Sequence, residues 1–527
     1  MSGRPPRETA AAVSFSVTEC VVHICHRTIG ARLTTLSLPP KPATPQISEP
    51  SPWDLVLLPA TLLGLWFLVQ RTLRNELNQD EFQHVHIAWN TLRGTLPYRD
   101  FFEHHGPVSA WVGALLLRLR GDAAASFETF FVFRWWNLAL IAGQIALTGW
   151  LGARVGGDRR SGWLAAGLLT TSGTLGWVGV QYRPDSLQNL LFLASLALLL
   201  SRREWWAGIC LGLMLGLNAK AMLAVGALGA GFAACLFIEQ RGPMPPSGTT
   251  GPWPRVARLA GGLALVLGSI AACLSFVGAL EAAWQHVLVG NVALAQARAS
   301  ALDIAGQSRS RLWENDAVLV VGLGAALLLA VVEAAREWRR RSAFVFVTVT
   351  ACLLLGVLFT PMRLYAHLMA LPTVAVVAGG LVGGGGHLRN LGAALLGVVL
   401  VVSTWQAWKR VPPAVHPATA MQRATVERVL SALPREAAVP YLWPSRCGAY
   451  VFNDDPVYDW MLTGNNMFDA AVPGAQDAFL LVFRDRVMHG EFQLIVGEPA
   501  LTSGIPDDIR AYLQSQFRPG PCLWERR

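Results

Sequence analysis

Several groups of ionisable residues stand out in this 527-residue chain because each lies between long apolar runs. The first opens at Asp80-Glu81 and continues Phe-Gln-His-Val-His-Ile-Ala-Trp-Asn, an amphipathic stretch with a helical period. The second is Arg99-Asp100-Phe-Phe-Glu103-His104-His105-Gly106-Pro107, and the third is the minimal turn Gln181-Tyr182-Arg183-Pro184-Asp185. Lys220 stands at a short turn between two apolar runs, and Arg363, Tyr365 and His367 follow Thr360-Pro361 where another run begins. A carboxylate so placed can take the proton of a hydroxyl as that oxygen attacks an activated carbon. Cationic side chains can stabilise the charge that develops on a phosphate leaving group. Converging from four loops onto one face, these residues would suit a pocket that joins a hydroxyl to an activated sugar. Each also has a plainer reading taken singly. Pro184 keeps Arg183 out of helical geometry, Asp185 is a natural N-cap for the helix that follows, and Lys220 can be a snorkelling lysine.

The elements that must position these residues are membrane helices. The chain is 53% hydrophobic and only 15% charged, where soluble proteins carry about 25% charged residues. Apolar runs near 54–70, 126–151, 161–180, 186–201, 205–217, 221–238, 257–279, 317–332, 343–360, 365–382 and 390–405 read as about eleven spans. The net charge of +9 does not form a nucleic-acid stripe. Its residues fall in every second loop: Arg154, Arg159 and Arg160; Arg202 and Arg203; Arg241, Arg255 and Arg258; Arg336, Arg339, Arg340 and Arg341; Arg389. Short basic loops are cytoplasmic, which places the acidic clusters and the tail from about residue 406 outside. The apolar segment 107–117 is too short to span and is expected at the membrane surface or as a re-entrant dip. Because nucleotide sugars are cytoplasmic and this pocket faces out, a carrier lipid would supply the sugar.

The ends differ from the middle. Residues 1–50 lack a clear signal peptide and read as a disordered extension or an over-extended gene start, with a Pro/Ser/Thr-rich stretch at 36–52. Cys20 and Cys25, with His23 and His26, lack a second cysteine pair for a zinc site. Cys210, Cys235, Cys273 and Cys352 fall inside apolar runs as small core residues. The tail, 406–527, is more polar, with strands expected at 439–443 and 492–496 and helices at 419–433, 475–488 and 506–516, a small α/β domain. Its two cysteines, Cys447 and Cys522, should lie close together, as a disulfide or as two buried thiols.

The stretch from Asp80 to Pro107, including Gly94-Thr95-Leu96-Pro97-Tyr98-Arg99-Asp100, strongly resembles the first outer loop of bacterial membrane glycosyltransferases with the GT-C fold. Lipid A aminoarabinose transferase, rhizobial galacturonosyltransferases of lipopolysaccharide and protein O-mannosyltransferases are of this kind. The Arg183-Pro184-Asp185 turn, the basic-Trp-Trp-Ala-Gly pattern running from Arg203 to Lys220, and Arg363-x-Tyr365-x-His367 are similar to further family features, so the resemblance spans roughly 54–405. It implies an all-α polytopic GT-C-like domain at 51–405, with the small extracytoplasmic domain behind it. It implies Asp80 as the base, with Glu81 the alternative, and Asp185 as the second acid. Substrate binding then falls to Arg99, Asp100, His104, His105, Arg183, Lys220, Arg363, Tyr365 and His367, with Arg363 and Lys220 on the carrier phosphate. Two departures touch those phosphate contacts: His105-Gly106-Pro107 stands where the family often has Lys-Pro-Pro or His-Pro-Pro, and Lys220-Ala221 where it has Lys-Gln or Lys-Pro.

The expected activity is transfer of a sugar from a polyprenyl-phosphate donor to a hydroxyl of the cell envelope, on lipid A or lipopolysaccharide, polysaccharide or protein. It would take place at the periplasmic face of the inner membrane. The alternative is a multi-pass transporter or flippase of lipid-linked sugars, against which stand acids at helix ends and the lack of an evident repeat. The resemblance demands no cofactor; a divalent metal held by Asp80 and Asp185 is left open.

Overall fold

The computed structural model describes residues 54–241, 251–292, 302–338, 341–357, 365–382, 387–434, 437, 439, 447–448, 451–453, 475–498 and 507–527. The N-terminal extension and Arg363 lie outside these described residues.

The apolar runs form helices: α1 (Asp54–Arg74), α4 (Glu128–Gly156), α5 (Arg159–Thr170), α6 (Pro184–Leu200), α7 (Glu204–Leu215), α8 (Ala221–Arg241), α9 (Pro252–Phe276), α10 (Leu302–Glu337), α11 (Ser342–Val357), α12 (Tyr365–Val382) and α13 (His387–Lys409). Between α1 and α4 lie α2 (Gln79–Leu92) and α3 (Pro107–Arg120). A helix rises about 1.5 Å per residue, so about twenty residues cross a hydrocarbon core. Six helices (α1, α4, α8, α9, α10 and α13) contain stretches long and apolar enough to do so, with shorter apolar helices among them, and the chain is a multi-pass membrane protein. Small residues bring neighbouring helices close, as lipid-embedded packing favours: Gly208 of α7 meets the backbone of Leu259 in α9 with no room for a Cβ.

Polar contacts gather at the two ends of the bundle. At one, Arg255 donates to Glu204 at 2.5 Å and to Glu239 at 2.7 Å, joining α7, α8 and α9, while Arg341 donates to the Gly380 carbonyl at 2.7 Å. At the other, Arg71 at the end of α1 donates to the Gly173 carbonyl at 3.2 Å and the Arg410 carbonyl at 3.1 Å. Here the structure corrects the single apolar run expected over 161–180. Helix α5 stops at Thr170, and a wider helical turn at Leu175–Gly179 follows. The buried carboxylate of Asp316 causes the break. It accepts from the Gly173 N–H at 2.6 Å, the Thr174 N–H at 2.8 Å and the Ser172 hydroxyl at 3.2 Å. Asp316 itself sits at a kink in α10, with φ −137° and ψ 23°.

Beyond α13 the described tail contains α14 (Pro417–Ala432), α15 (Ala475–Met488), α16 (Asp507–Gln516) and an antiparallel sheet in the order β1 (Leu494–Val496), β3 (Leu523–Arg526), β2 (Phe517–Pro519). The strand expected near 492–496 is β1, whereas the one at 439–443 falls almost wholly outside the described residues. Strands β2 and β3 are short and carry charged residues, so apolar alternation did not mark them. Cys447 and Cys522 form a disulfide with Cα atoms 5.3 Å apart. The tail shares a core with the first loop: Phe82, Val85 and Trp89 of α2 and Phe127 and Phe130 near the start of α4 pack with Val426, Val429, Cys447, Val451 and Phe452. Gly448, at φ +80°, is the residue this contact requires, since a Cβ there would stand 2.6 Å from the Phe82 ring.

Candidate active site

Helix α2 starts in a capping box. The Asn78 side chain accepts from the Asp80 N–H at 2.9 Å, and Glu81 Oε2 accepts from the Asn78 N–H at 2.8 Å. Glu81 is then fastened from the far side by Arg134 of α4, which is wholly buried. The Arg134 guanidinium donates to Oε1 at 2.8 Å and to Oε2 at 2.7 Å, and the Tyr182 N–H adds a bond to Oε1 at 3.2 Å. The remaining Arg134 donors reach the carbonyls of Thr72 at 3.0 Å, Asn75 at 2.8 Å and Glu76 at 2.6 Å. Both oxygens of Glu81 are thus engaged with the scaffold. Successive helical residues point about 100° apart, and Asp80, a quarter exposed, is directed elsewhere.

Asp80 meets Arg183. This residue has extended backbone (φ −148°, ψ 152°) before Pro184, which opens α6. The proline effect read from the sequence holds, but the cap does not: Arg183 occupies the N-cap position and Asp185 lies inside the first turn. Its carboxylate accepts from Arg183 Nε at 3.2 Å and does not cap its own helix. Arg183 also donates to Asp80, so two carboxylates from distant parts of the sequence share one buried guanidinium. Burial alone would raise the Asp80 pKa; Arg183, with His84 and His105, more than offsets this and carries it down to about 2.

The second cluster docks on the turn after α7. The Gly106 N–H donates to the Leu217 carbonyl at 2.9 Å and the Val108 N–H to the Gly216 carbonyl at 3.0 Å. Gly106 allows this approach, because a Cβ would overlap the Gly216 carbonyl. The docking brings half-buried Lys220 near enough for its charge to act on His105 and Asp185. Glu103 Oε1 accepts from the His105 backbone N–H at 2.7 Å and pairs with His105 Nδ1 at 2.6 Å. The His104 and His105 rings lie 3.9 Å apart, and His84 from α2 stands edge-on to His105 at 4.8 Å. Tyr98, in left-handed backbone at φ 71°, donates its hydroxyl to the His105 carbonyl at 2.6 Å. Asn291 donates to the His104 carbonyl at 2.8 Å. Burial, reinforced by the neighbouring His105, holds His84 down to about 3 and His104 well below its ordinary value. Burial and then Lys220 hold His105 down to about 3, so all three rings are neutral near pH 7.

The sequence-selected residues therefore separate. Asp80, Arg183, Asp185, His105 and Lys220 come together, with His104 against His105. Glu81 belongs to the scaffold beneath them. Arg99 and Asp100 clasp each other through two bonds of 2.8 and 2.9 Å at an exposed turn, where Arg99 reaches the Val277 carbonyl beyond α9. Tyr365 opens α12 and His367 lies within its first turn, while the placement of their side chains, like Arg363, is outside what is described. Two participants escaped the sequence reading. Arg134 lies in an apolar helix far from the motifs, and its full burial is its only signal. His84, three residues before Ile87 on the same helix as Asp80, could have been found from the i, i+4 spacing to Asp80.

No family model matches the chain, and no curated protein matches it in sequence. Its fold does match solved structures. ArnT from Cupriavidus metallidurans bound to undecaprenyl phosphate aligns with a TM-score of 0.56 and 11% identity, over 90% of this chain and 97% of that one. The same protein in the apo state gives 0.53 and 13%, with the same coverage. Archaeal oligosaccharyltransferase AglB from Archaeoglobus fulgidus, in complex with an inhibitory peptide and a dolichol-phosphate, gives 0.51 and 13%, over 90% of this chain and 75% of that one. At such identities the likeness is one of architecture, and the chain has the GT-C fold.

Proposed function

We propose that this chain is a glycosyltransferase that moves a sugar from a polyprenyl-phosphate donor to a hydroxyl acceptor of the cell envelope, on the side of the membrane where the Asp80 cluster opens. The observation that carries the reading is the sharing of Arg183 between Asp80 and Asp185, with Lys220 and His105 alongside. The residues proposed as base, second acid and phosphate-binding cations stand together, which supports this reading on a GT-C scaffold.

In the proposed reaction the acceptor oxygen attacks the anomeric carbon as its proton passes to the Asp80 carboxylate. The bond from that carbon to the phosphate oxygen breaks, and polyprenyl phosphate leaves with the electron pair. Lys220 and Arg183 stabilise the growing phosphate charge; Arg363, Tyr365 and His367 are assigned to the donor on their sequence pattern alone. A carboxylate with a pKa of about 2 is a weak base. Arg183 resolves this, because a donor phosphate competing for its guanidinium loosens its hold on Asp80 and returns basicity to that carboxylate when substrate is present. Asp185 keeps Arg183 in place during the exchange. The acceptor, whether lipid A, polysaccharide or protein, and the hexose or pentose identity of the sugar are to be found by mass spectrometry of envelope glycans with and without the gene. An envelope unchanged in every glycan and glycoprotein would defeat this reading.

A further inference from the structure

We propose that the ends of α7, α8 and α9 remote from the Asp80 cluster form a binding site for the headgroup of an anionic phospholipid. This site is independent of sugar transfer. Helix α7 starts here and finishes at the turn on which Gly106 docks, so its full length, about 18 Å, separates the two places.

Two carboxylates organise the site. Glu204 of α7, almost wholly buried, accepts from Arg255 Nε at 2.5 Å and pairs with Arg258 at 3.3 Å, both from α9. Glu239 of α8 accepts from Arg255 at 2.7 Å and pairs with Arg202, just before α7, at 3.4 Å. Buried Arg255 therefore ties the three helices together, while Arg202 and Arg258, each one carboxylate away from it, stand about half exposed. Arg203 is exposed beside Arg202. Arg241 ends α8 with its guanidinium 4.1 Å over the Phe237 ring. Glu204 and Glu239 are the only acids in 201–276, so five arginines against two carboxylates leave this end with a charge of +3.

Backbone geometry adds to that charge. Arg203 and Gly251 hold the N-cap positions of α7 and α9, and neither helix start has a side-chain cap for its first N–H groups. Gly208 lies against Leu259, and Gly262 against the Trp205 carbonyl, so the two helices run in parallel and α9 starts about one and a half turns beyond α7. Arg255 and Arg258 are thus set beside the uncapped start of α7. First-turn N–H groups, the positive end of the helix dipole and adjoining guanidinium groups together favour a phosphate.

The occupant is a lipid and not a free anion because the flanks are apolar and open. Only Arg255, Gly262 and Leu274 of the 25 residues of α9 are buried. Trp206, Phe237 and Trp253 are exposed around the arginines, as aromatic side chains at headgroup depth are. Acyl chains can lie along exposed Val256, Leu265 and Leu267 of α9 while the phosphate sits over the arginines, as in other basic pockets between membrane helices. The net positive charge repels the ammonium of a zwitterionic headgroup and so selects an anionic one.

The test is native mass spectrometry of the full chain released from nanodiscs that contain phosphatidylglycerol and phosphatidylcholine in equal amounts with matched acyl chains. One phosphatidylglycerol is expected to stay with each chain. Added phosphatidylglycerol, unlike phosphatidylcholine, should also raise the melting temperature of the wild type in detergent. One arginine near the membrane surface changes lipid affinity about fivefold, so Arg202→Gln with Arg203→Gln should weaken retention about 25-fold, with gel filtration unchanged. Arg154→Gln with Arg159→Gln removes the same charge from another loop at this end and should leave retention as it is. Equal retention of the two lipids overturns the site, and so does equal loss from the two double variants, the mark of a diffuse field. Displacement of the lipid by millimolar inorganic phosphate defeats the lipid assignment in favour of a free anion.

Discussion

Replacing Asp80 with Asn removes a charge and a base while keeping size and an acceptor oxygen, so its effects on stability and on chemistry can be separated. Arg183 retains Asp185 at 3.2 Å and can still donate to the Asn oxygen. The stability change is that of turning a charge-assisted hydrogen bond into a neutral one, about 1 kcal/mol. The loss in turnover should be that of a general base, about 10²- to 10⁴-fold, or about 3–5.5 kcal/mol of barrier. A gap of that size cannot be a folding effect. The assay works whatever the sugar: lipid-linked sugars extracted from the native membrane are supplied with envelope acceptors, and release of free polyprenyl phosphate is followed by mass spectrometry. Asp80→Asn should consume donor slowly yet still bind it, with a melting temperature near that of the wild type. Arg183→Gln should differ, weakening donor binding and raising the Asp80 pKa from about 2 toward its ordinary value as the dominant cation is lost. Turnover in Asp80→Asn within about threefold of wild type would refute the assignment. If Glu81→Gln alone abolished turnover while folding normally, the base would be the neighbouring residue.

Breaking the buried Glu81–Arg134 pair by Arg134→Met should destabilise the protein by about 3–5 kcal/mol, because it strands a carboxylate without its partner; thermal unfolding in detergent measures this, and an unchanged midpoint would contradict the proposed scaffold role. Asp316→Asn should cost about 1.5–3 kcal/mol through weakened bonds to Gly173, Thr174 and Ser172, read by the same scan. Reducing Cys447–Cys522, or replacing both with Ser, should lower stability by about 2–4 kcal/mol and increase protease cleavage of the tail. Single cysteines placed at Arg159 and Arg340 should label only from the cytoplasm, and one at Asp455 only from the other side; labelling of position 455 only after the membrane is opened would reverse the orientation.

The membrane body was legible because lipid imposes a simple rule: a helix that must bury its backbone polar groups in hydrocarbon announces itself as an apolar run. Helix α2 was legible for another reason, since Asn78 and Glu81 supply a local capping signature before an amphipathic stretch. What failed to show was whatever depends on partners distant in sequence. Asp316 breaks an apolar run from more than a hundred positions away, and no local pattern in 161–180 foretells it. Asp185 failed for a local reason: Arg183 takes the N-cap position before Pro184, so Asp185 falls inside the first turn, too far into the helix to cap it, and pairs with Arg183, which the distant Asp80 also holds. Both acids of the Asp80-Glu81 pair look equivalent in sequence, and only Arg134, buried in α4, separates scaffold from site.

The packing of the tail against α2 has a consequence for how the protein is made. His86 on α2 bonds through Nδ1 to the Val451 carbonyl at 2.8 Å, across a separation of 365 residues, and Trp89 meets Phe452 edge-on at 5.6 Å. Contacts so remote in sequence close late, because the loop entropy must be overcome before the contact stabilises anything. During synthesis the helix that carries Asp80 is among the first segments delivered and can meet Phe127 and Phe130 early, but the part of its apolar face that the tail covers stays open until almost the whole chain has been inserted and the final residues have arrived at the same end of the bundle. A ribosome that stops early therefore leaves a membrane-embedded chain with an exposed patch of Phe82, Val85 and Trp89, a mark by which a protease could tell incomplete copies from finished ones.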